Sequence, residues 1–170
     1  KASSGKLVRV PLASVFRNHW RELLLGTFFM LATYVLFYLM TTFSLSYGRA
    51  ATDAADAGLG YDYTTFVLML IAGVVFFGIF TMLSGPWADR FGRRRTLLAV
   101  TGGIILFGLL WVPLLGAGFV GVMAWLIIGF ALMGMTFGPM GALLPELFPT
   151  NVRYTGSAIS YNVSSILGAA

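Results

Sequence analysis

Four long stretches of this chain are apolar and carry no acidic or basic side chain. They run approximately over residues 23–46, 63–83, 96–115 and 118–144. Each has about the 20 residues that an α-helix needs to cross a hydrocarbon core of about 30 Å. A fifth apolar stretch begins near Thr155 and reaches Ala170, but about 16 residues rising 1.5 Å each cover only about 24 Å. The pattern predicts four complete membrane spans and a fifth, incomplete span at residues 155–170.

Residues 1–22 precede the first span and are more polar. Within them Leu12, Val15 and Phe16 recur at helical spacing, and Trp20 follows where interfacial aromatic residues occur. This spacing predicts an amphipathic helix that lies on the inner membrane surface and leads into the first span. His19, the only histidine, falls at the same boundary. We interpret it as a solvated side chain, because a proton relay would lie inside the helical bundle.

The composition supports this pattern. Hydrophobic residues make up 58% of the chain, charged residues only 10%, and the mean hydropathy is +0.87, so the polar residues are too few to cover a water-soluble surface. The sequence therefore predicts an all-α integral membrane protein in contact with the lipid bilayer. Cysteine is absent, which excludes disulfides, thiolate chemistry and cysteine-based metal sites.

Basic residues concentrate in alternate connections between the predicted spans. They are Lys1, Lys6, Arg9, Arg17 and Arg21 before the first span, Arg90, Arg93, Arg94 and Arg95 after the second, and Arg153 after the fourth. The remaining two connections hold one basic residue, Arg49. Because Lys and Arg near span ends are retained on the cytoplasmic side, the N-terminus of this chain is predicted to be cytoplasmic. The net charge of +5 then reflects membrane topology and requires no nucleic acid partner.

The most charged connection is the segment at residues 85–95, which reads Gly-Pro-Trp-Ala-Asp-Arg-Phe-Gly-Arg-Arg-Arg. Gly85 and Pro86 are expected to end the second span, because proline has no backbone N–H to donate. Asp89 then lies near the negative pole of its own helix and needs stabilisation by guanidinium groups or by the N-terminus of another helix. Gly92 is expected to adopt the positive φ of a tight turn.

The spacing Gly-x-x-x-Asp-Arg-x-Gly-Arg-Arg in this segment resembles the cytoplasmic loop signature of the major facilitator superfamily. In that family the signature lies between the second and third helices of each six-helix half. Trp87 departs from the family, in which leucine is more common at this position. The alternative is an inner loop that is rich in arginine through topology alone.

A second segment resembles one branch of the same superfamily. Residues 145–156 read Pro-Glu-Leu-Phe-Pro-Thr-Asn-Val-Arg-Tyr-Thr-Gly, which is similar to the segment after the tenth helix of metabolite:proton symporters. The resemblance implies a major facilitator-type helical bundle that comprises helices seven to eleven of a twelve-helix carrier. Residues 1–22 would be the cytoplasmic or interfacial end of the central loop, residues 23–170 would belong to the C-terminal-half bundle, and an N-terminal half of the same chain would be missing.

The resemblance also implies a cytoplasmic gate, or latch, that opens when the two halves of a carrier rock against each other. Its predicted members are Gly85, Asp89, Arg90, Gly92, Arg93, Arg94, Glu146 and Arg153. The alternative is a set of solvated charges that positive-inside topology places at the inner surface.

The four complete spans contain no Asp, Glu, Lys, Arg or His, so a proton-coupling carboxylate would have to lie outside this chain. They do contain uncharged polar residues. Thr27, Tyr34, Tyr38 and Thr41 follow one helical face of the first span, and Ser157, Tyr161, Asn162, Ser164 and Ser165 form a polar arc on the fifth. We take Tyr34, Tyr38, Thr41 and Asn162 as candidates for lining a substrate cavity. The alternative is packing between helices, which we also expect of the glycines in the fourth span.

The resemblance implies a secondary active transporter in the inner, or plasma, membrane. It would move a small polar metabolite, an organic acid or a zwitterion, together with protons by alternating access. One alternative is a transport-inactive sensor or scaffold that retains the carrier fold, because a fold does not fix function. Another is an integral-membrane enzyme, but that would need a nucleophile, a metal cluster or a base held in position for the chemistry, and no such constellation appears in the sequence. It predicts no catalytic residue, metal site or cofactor.

Overall fold

The computed structural model of the protein describes residues 11–52 and 58–169. Lys1, Lys6, Arg9 and the acidic residues Asp53 and Asp56 lie outside the described residues. Those ranges fold into helices and connecting turns. The helices are α1 Pro11–Asn18, α2 Trp20–Tyr38, a π-helical turn Leu39–Phe43, α3 Ser44–Arg49, α4 Tyr63–Phe91, α5 Arg93–Leu109, α6 Trp111–Leu115, α7 Gly118–Glu146 and α8 Arg153–Ala169.

Three helical segments among the described residues are long and apolar enough to cross a membrane. They are Trp20–Arg49, Tyr63–Phe91 and Gly118–Glu146, and they contain the first, second and fourth predicted spans. The third predicted span is divided between α5, which has 17 residues, and the short helix α6. Pro113 lies in α6 and has no N–H to bond to the carbonyl of Leu109, which accounts for the interruption between the two helices.

Helix α4 continues beyond the point at which it was expected to end. Pro86 lies inside the helix, which extends to Phe91, so the expectation that Gly85 and Pro86 end the span is wrong. Proline removes a single backbone hydrogen bond, and the intact bonds on either side are sufficient to continue the helix. The helix ends instead at Gly92, whose φ of 89° confirms the predicted positive φ. Helix α5 begins at the next residue.

The chain forms two compact units, and the boundaries between them fall within α2 and α7. The central unit is Val35–Pro139, and the terminal unit combines Lys1–Tyr34 with Met140–Ala170. The core of the central unit contains Met40, Phe66, Trp125 and Phe130, each at most 2% exposed. Trp125 stacks on Phe107 with ring centroids 5.3 Å apart.

Within the central unit, α7 approaches α4 closely through Gly134 and Gly138. A Cβ added at Gly134 would lie 2.6 Å from the carbonyl oxygen of Phe77 and 2.9 Å from the backbone nitrogen of Thr81. A Cβ at Gly138 would collide with the hydroxyl of Ser84, which is fully buried. Two small residues four apart allow such backbone proximity in membrane helices. The predicted role of glycines in helix packing is confirmed here.

In the terminal unit, the predicted amphipathic helix is present as α1. Its Val15 is fully buried in a cluster with Leu23, Phe148 and Val152. Backbone hydrogen bonds from His19 to Val15 and from Leu23 to His19 continue into α2. Because Phe148 and Val152 belong to the segment between α7 and α8, this cluster holds α1 against that segment.

Candidate functional site

Two hydroxyl groups of α8 connect this helix to α2 in the terminal unit. The hydroxyl of Ser164 lies 2.7 Å from the carbonyl oxygen of Thr27 and 2.6 Å from that of Ser160 in its own helix, so the two carbonyls share its one hydrogen. The hydroxyl of Ser160 lies 3.4 Å from the carbonyl oxygen of Leu23. Both serines are fully buried. Gly26 lies between their acceptors, and a Cβ there would come within 2.8 Å of the Ser160 hydroxyl. These contacts fix the lateral position of α8 on α2.

This packing places polar aromatic rings of α2 and α8 side by side. Tyr34 and Tyr161 meet edge to face, with ring centroids 5.3 Å apart and an interplanar angle of 89°. Asn162 follows on α8 and is exposed. Its amide nitrogen donates to the carbonyl oxygen of Ala158 at 2.7 Å, which uses one of the two amide hydrogens. The other hydrogen and the amide oxygen give Asn162 the capacity to bind a ligand.

The partly exposed polar set of Tyr34, Tyr161 and Asn162 requires an explanation in a membrane protein. Polar groups that face lipid are unfavourable, and such side chains therefore face another helix or a water-filled cavity. Sequence reasoning selected Tyr34 and Asn162 for this purpose. Tyr161 is in the predicted polar arc but not in the predicted cavity set. Its position next to Asn162 in the sequence is the feature that could have identified it as a cavity residue.

The other two cavity candidates lie in the central unit. Tyr38 is half-buried and contacts the ring of Phe37, with centroids 5.5 Å apart. The hydroxyl of Thr41 donates to the carbonyl oxygen of Phe37 at 2.7 Å. That bond uses the hydroxyl hydrogen of Thr41 within its own helix, while the hydroxyl oxygen can still accept a hydrogen bond.

Thr41 lies in the π-helical turn Leu39–Phe43, which the sequence did not predict. The hydroxyl of Ser44 donates to the carbonyl oxygen of Leu39 at 2.7 Å, and the backbone N–H of Ser44 is directed at the same oxygen. A π turn contains one residue more than an α-helical turn and often occurs at functional sites. The face shared by Tyr38 and Thr41 is therefore not that of a regular α-helix.

The Arg-rich gate candidates of the central unit surround the connection at Gly92. Asp89 and Arg90 are exposed in the last turn of α4, while Arg93, Arg94 and Arg95 occupy the first turn of α5. Asp89 opposes the negative pole of α4, and the three arginines oppose the positive pole of α5. The pole of the adjoining helix has the favourable sign for each group.

The gate candidates of the terminal unit flank the segment between α7 and α8. Glu146 is the last residue of α7 and is exposed. The Nε of Arg153, at the start of α8, donates to the carbonyl oxygen of Phe148 at 3.3 Å. The ring of Phe148 packs against Gly156, so Arg153 and Phe148 together restrain the start of α8.

Two buried polar atoms were not anticipated from the sequence. In the part of the chain that the structure describes, the indole Nε1 of Trp125 and the hydroxyl of Thr33 have no hydrogen-bond partner. Trp125 is 2% exposed and Thr33 is 2% exposed. A single Trp or Thr in an apolar stretch carries no sequence signal for such a state, because the sequence does not show whether its N–H or O–H finds a partner on a neighbouring helix.

The long apolar helices, the tightly connected pair α4 and α5, and the uncharged polar sets define a multi-pass α-helical membrane protein. A family model described as Major Facilitator Superfamily matches residues 1–170. The chain belongs to the Major Facilitator Superfamily, as the signature at residues 85–95 predicted.

Several curated relatives of the chain are named as transport proteins. It is 51% identical over 170 residues to the "Inner membrane metabolite transport protein YhjE" of Escherichia coli, an alignment that covers 99% of this chain and 38% of that protein. A "Putative metabolite transport protein" of Haemophilus influenzae is 48% identical, with 97% and 39% covered. A "Proline/betaine transporter" of Salmonella typhimurium is 29% identical, with 94% and 31% covered. The chain thus spans about two fifths of the first two relatives, and no solved structure gives a significant match.

Proposed function

We propose that this chain is the C-terminal-half bundle of a secondary transporter in the inner membrane. The transporter takes up a small polar metabolite together with protons by alternating access, and it is not an enzyme. The N-terminus of this chain is cytoplasmic, and the missing half of the carrier supplies the proton-coupling carboxylate. Membership of the superfamily and the names of the relatives support the transport class.

The observation that carries the proposal is the Tyr34, Tyr161 and Asn162 set on two packed helices. Tyr34 and Tyr161 provide aromatic faces and phenolic hydroxyls. The carboxamide of Asn162 has one further N–H and an oxygen with which to bind a ligand. A zwitterion presents a carboxylate for such donors and a cationic group for the aromatic faces. We therefore favour a zwitterionic substrate over a simple organic acid. The relatives named as proline and betaine transporters have substrates of this class.

The experiment is uptake by vesicles that contain the intact protein, with labelled zwitterions and organic acids as substrates. Asn162→Leu and Tyr161→Phe should raise the apparent KM for the transported compound about tenfold or more. Tenfold is about 1.4 kcal/mol of lost binding for each group, which is close to the lower end of the range of about 1.5–3 kcal/mol for a hydrogen bond to a charged group. Ser157→Ala is the matched control, because Ser157 donates to the carbonyl of Arg153 within the same helix.

Unchanged kinetics in both α8 variants, and in Tyr34→Phe, Tyr38→Phe and Thr41→Val, would assign all these side chains to packing. Proton coupling requires a separate measurement. An imposed inward proton gradient should accelerate uptake in vesicles without a membrane potential, and a protonophore should remove the acceleration. Uptake that ignores the gradient would contradict symport and leave the substrate assignment intact.

A further inference from the structure

An apolar groove follows the outer surface of the central unit between α4, α5 and α7. One part has a volume of about 350 Å³ and is lined by Trp87, Phe91, Arg95, Thr96, Ala99, Val100 and Met135. A second part of about 450 Å³ shares Trp87, Ala99, Val100 and Met135 with the first, and it continues along α4 to Phe80 and Phe76. Both volumes lie in the range of about 300–1,000 Å³ that is typical of small-ligand sites.

The length and depth of the groove match one leaflet of a bilayer. From Trp87 to Phe76 the groove follows α4 over about 16 Å, at 1.5 Å per residue. This is about half of a hydrocarbon core of about 30 Å. The groove is therefore long enough for one extended acyl chain, and its walls are apolar apart from Arg95 and Thr96.

The basic side chain of Arg95 lies at one end of this groove. Arg95 is exposed in the first turn of α5 and lines the groove at the end that also contains Phe91. Trp87 is 45% exposed on the same side, which is the usual environment of tryptophan at a membrane interface. A phosphate group at Arg95 would also lie near the positive pole of α5.

We propose that the groove is a binding site for an anionic phospholipid, with one acyl chain between α4, α5 and α7 and the phosphate group against Arg95. Lipid chains are as apolar as the groove, so filling it gives little net selectivity between lipids. Selectivity comes from the headgroup, because one basic side chain at the membrane surface favours an anionic lipid about fivefold, or about 1 kcal/mol. Trp87 forms the wall where both parts of the groove meet.

The test uses Trp87 as the probe. The intact protein is reconstituted in two kinds of vesicle that both consist mainly of unlabelled phosphatidylcholine. In the first, the minor lipid is phosphatidylglycerol with brominated acyl chains. In the second, the minor lipid is phosphatidylcholine with brominated acyl chains. Subtracting the emission of Trp87→Phe isolates the Trp87 signal from the other tryptophans. We expect brominated phosphatidylglycerol to quench this signal about five times more effectively at equal mole fraction. Both leaflets contain the same lipids, so the result does not depend on orientation.

Three variants separate the parts of the proposal. Arg95→Gln should abolish the difference between headgroups and leave quenching by both lipids, whereas Arg95→Lys should retain the difference. Ala99→Phe should fill the groove and reduce quenching by both lipids. Arg49→Gln is the charge-matched control, because Arg49 is exposed at the end of α3 and packs on the ring of Tyr63 at 4.8 Å.

Equal quenching by the two lipids in the unaltered protein would overturn the assignment of the headgroup. No quenching of Trp87 by either lipid would overturn the site itself and would indicate that protein fills the groove. Inorganic phosphate added at millimolar concentration and constant ionic strength should leave the preference unchanged, because the bilayer presents the lipid headgroup to Arg95 at a much higher local concentration. Loss of the preference would assign the Arg95 site to a free anion and overturn the lipid assignment. None of these measurements requires transport, so they are independent of the proposed function.

Discussion

Replacing Gly134 with alanine tests the close crossing of α7 and α4. The added methyl group would lie 2.6 Å from the carbonyl oxygen of Phe77 and 2.9 Å from the nitrogen of Thr81. Both neighbours are backbone atoms, which cannot rotate away as a flexible side chain could. Ordinary contacts between heavy atoms are about 3.5–4.0 Å, so the helices must separate locally by roughly 1 Å. Overpacking of this kind costs about 1–3 kcal/mol.

The measurement is the free energy of unfolding in detergent micelles, followed by the loss of helical circular dichroism. Gly78→Ala on α4 is the control, because nothing lies within 4 Å of the added Cβ. It should be neutral or should stabilise by up to about 1 kcal/mol through helix propensity. Gly103→Ala should fall between the two, since its contact at 3.1 Å is the end of the Leu132 side chain. Equal stabilities for Gly134→Ala and Gly78→Ala would refute the crossing described for α4 and α7.

Three further predictions concern single contacts and the gate. Ser164→Ala should lower the free energy of unfolding by about 0.6–1.7 kcal/mol, the range for hydrogen bonds between membrane helices, because its hydroxyl contacts the Thr27 carbonyl oxygen of α2 as well as the Ser160 carbonyl oxygen of its own helix. Ser157→Ala should have a smaller effect, because the Ser157 hydroxyl donates to the Arg153 carbonyl oxygen within α8. Gly92→Ala should cost about 1–3 kcal/mol through backbone strain alone, since its φ is 89° and the space around it is open; an unaltered unfolding curve would contradict the strained turn. Asp89→Asn should slow uptake and make test cysteines along the inner cavity more reactive from the cytoplasmic side, and normal values of both would remove Asp89 from the gate.

The hydrophobic pattern was sufficient to predict the helical membrane class, because span length and charge exclusion are dictated by the bilayer. The turn at Gly92 was also predictable, since few residues other than glycine adopt its conformation. The points at which helices continue or break were not predictable from the sequence. Pro86 and Pro113 have the same local chemistry, yet α4 continues through the first and the α5–α6 interruption lies just before the second. Packing with neighbouring helices decides such cases, and a single sequence does not contain that information.

The residue types of the candidate site could be predicted from the sequence, but the contacts between them could not. Uncharged polar residues in apolar stretches directed attention to Tyr34 and Asn162, but the edge-to-face contact of Tyr34 with Tyr161 depends on the serine bonds between α2 and α8. Those bonds join residues 137 positions apart in the chain. The apolar groove beside Trp87 depends likewise on how α7 packs against the consecutive helices α4 and α5.

The π-helical turn at Leu39–Phe43 also affects how this protein should be aligned with its relatives. It is equivalent to a one-residue insertion that the helix absorbs without forming a loop. A relative with one residue fewer in this stretch could close a regular α-helix there, and α2 and α3 would still present the same faces. A single-residue gap placed inside a membrane span is normally treated as an alignment error. At residues 39–43 such a gap is structurally reasonable, and residues on either side of it should be compared separately.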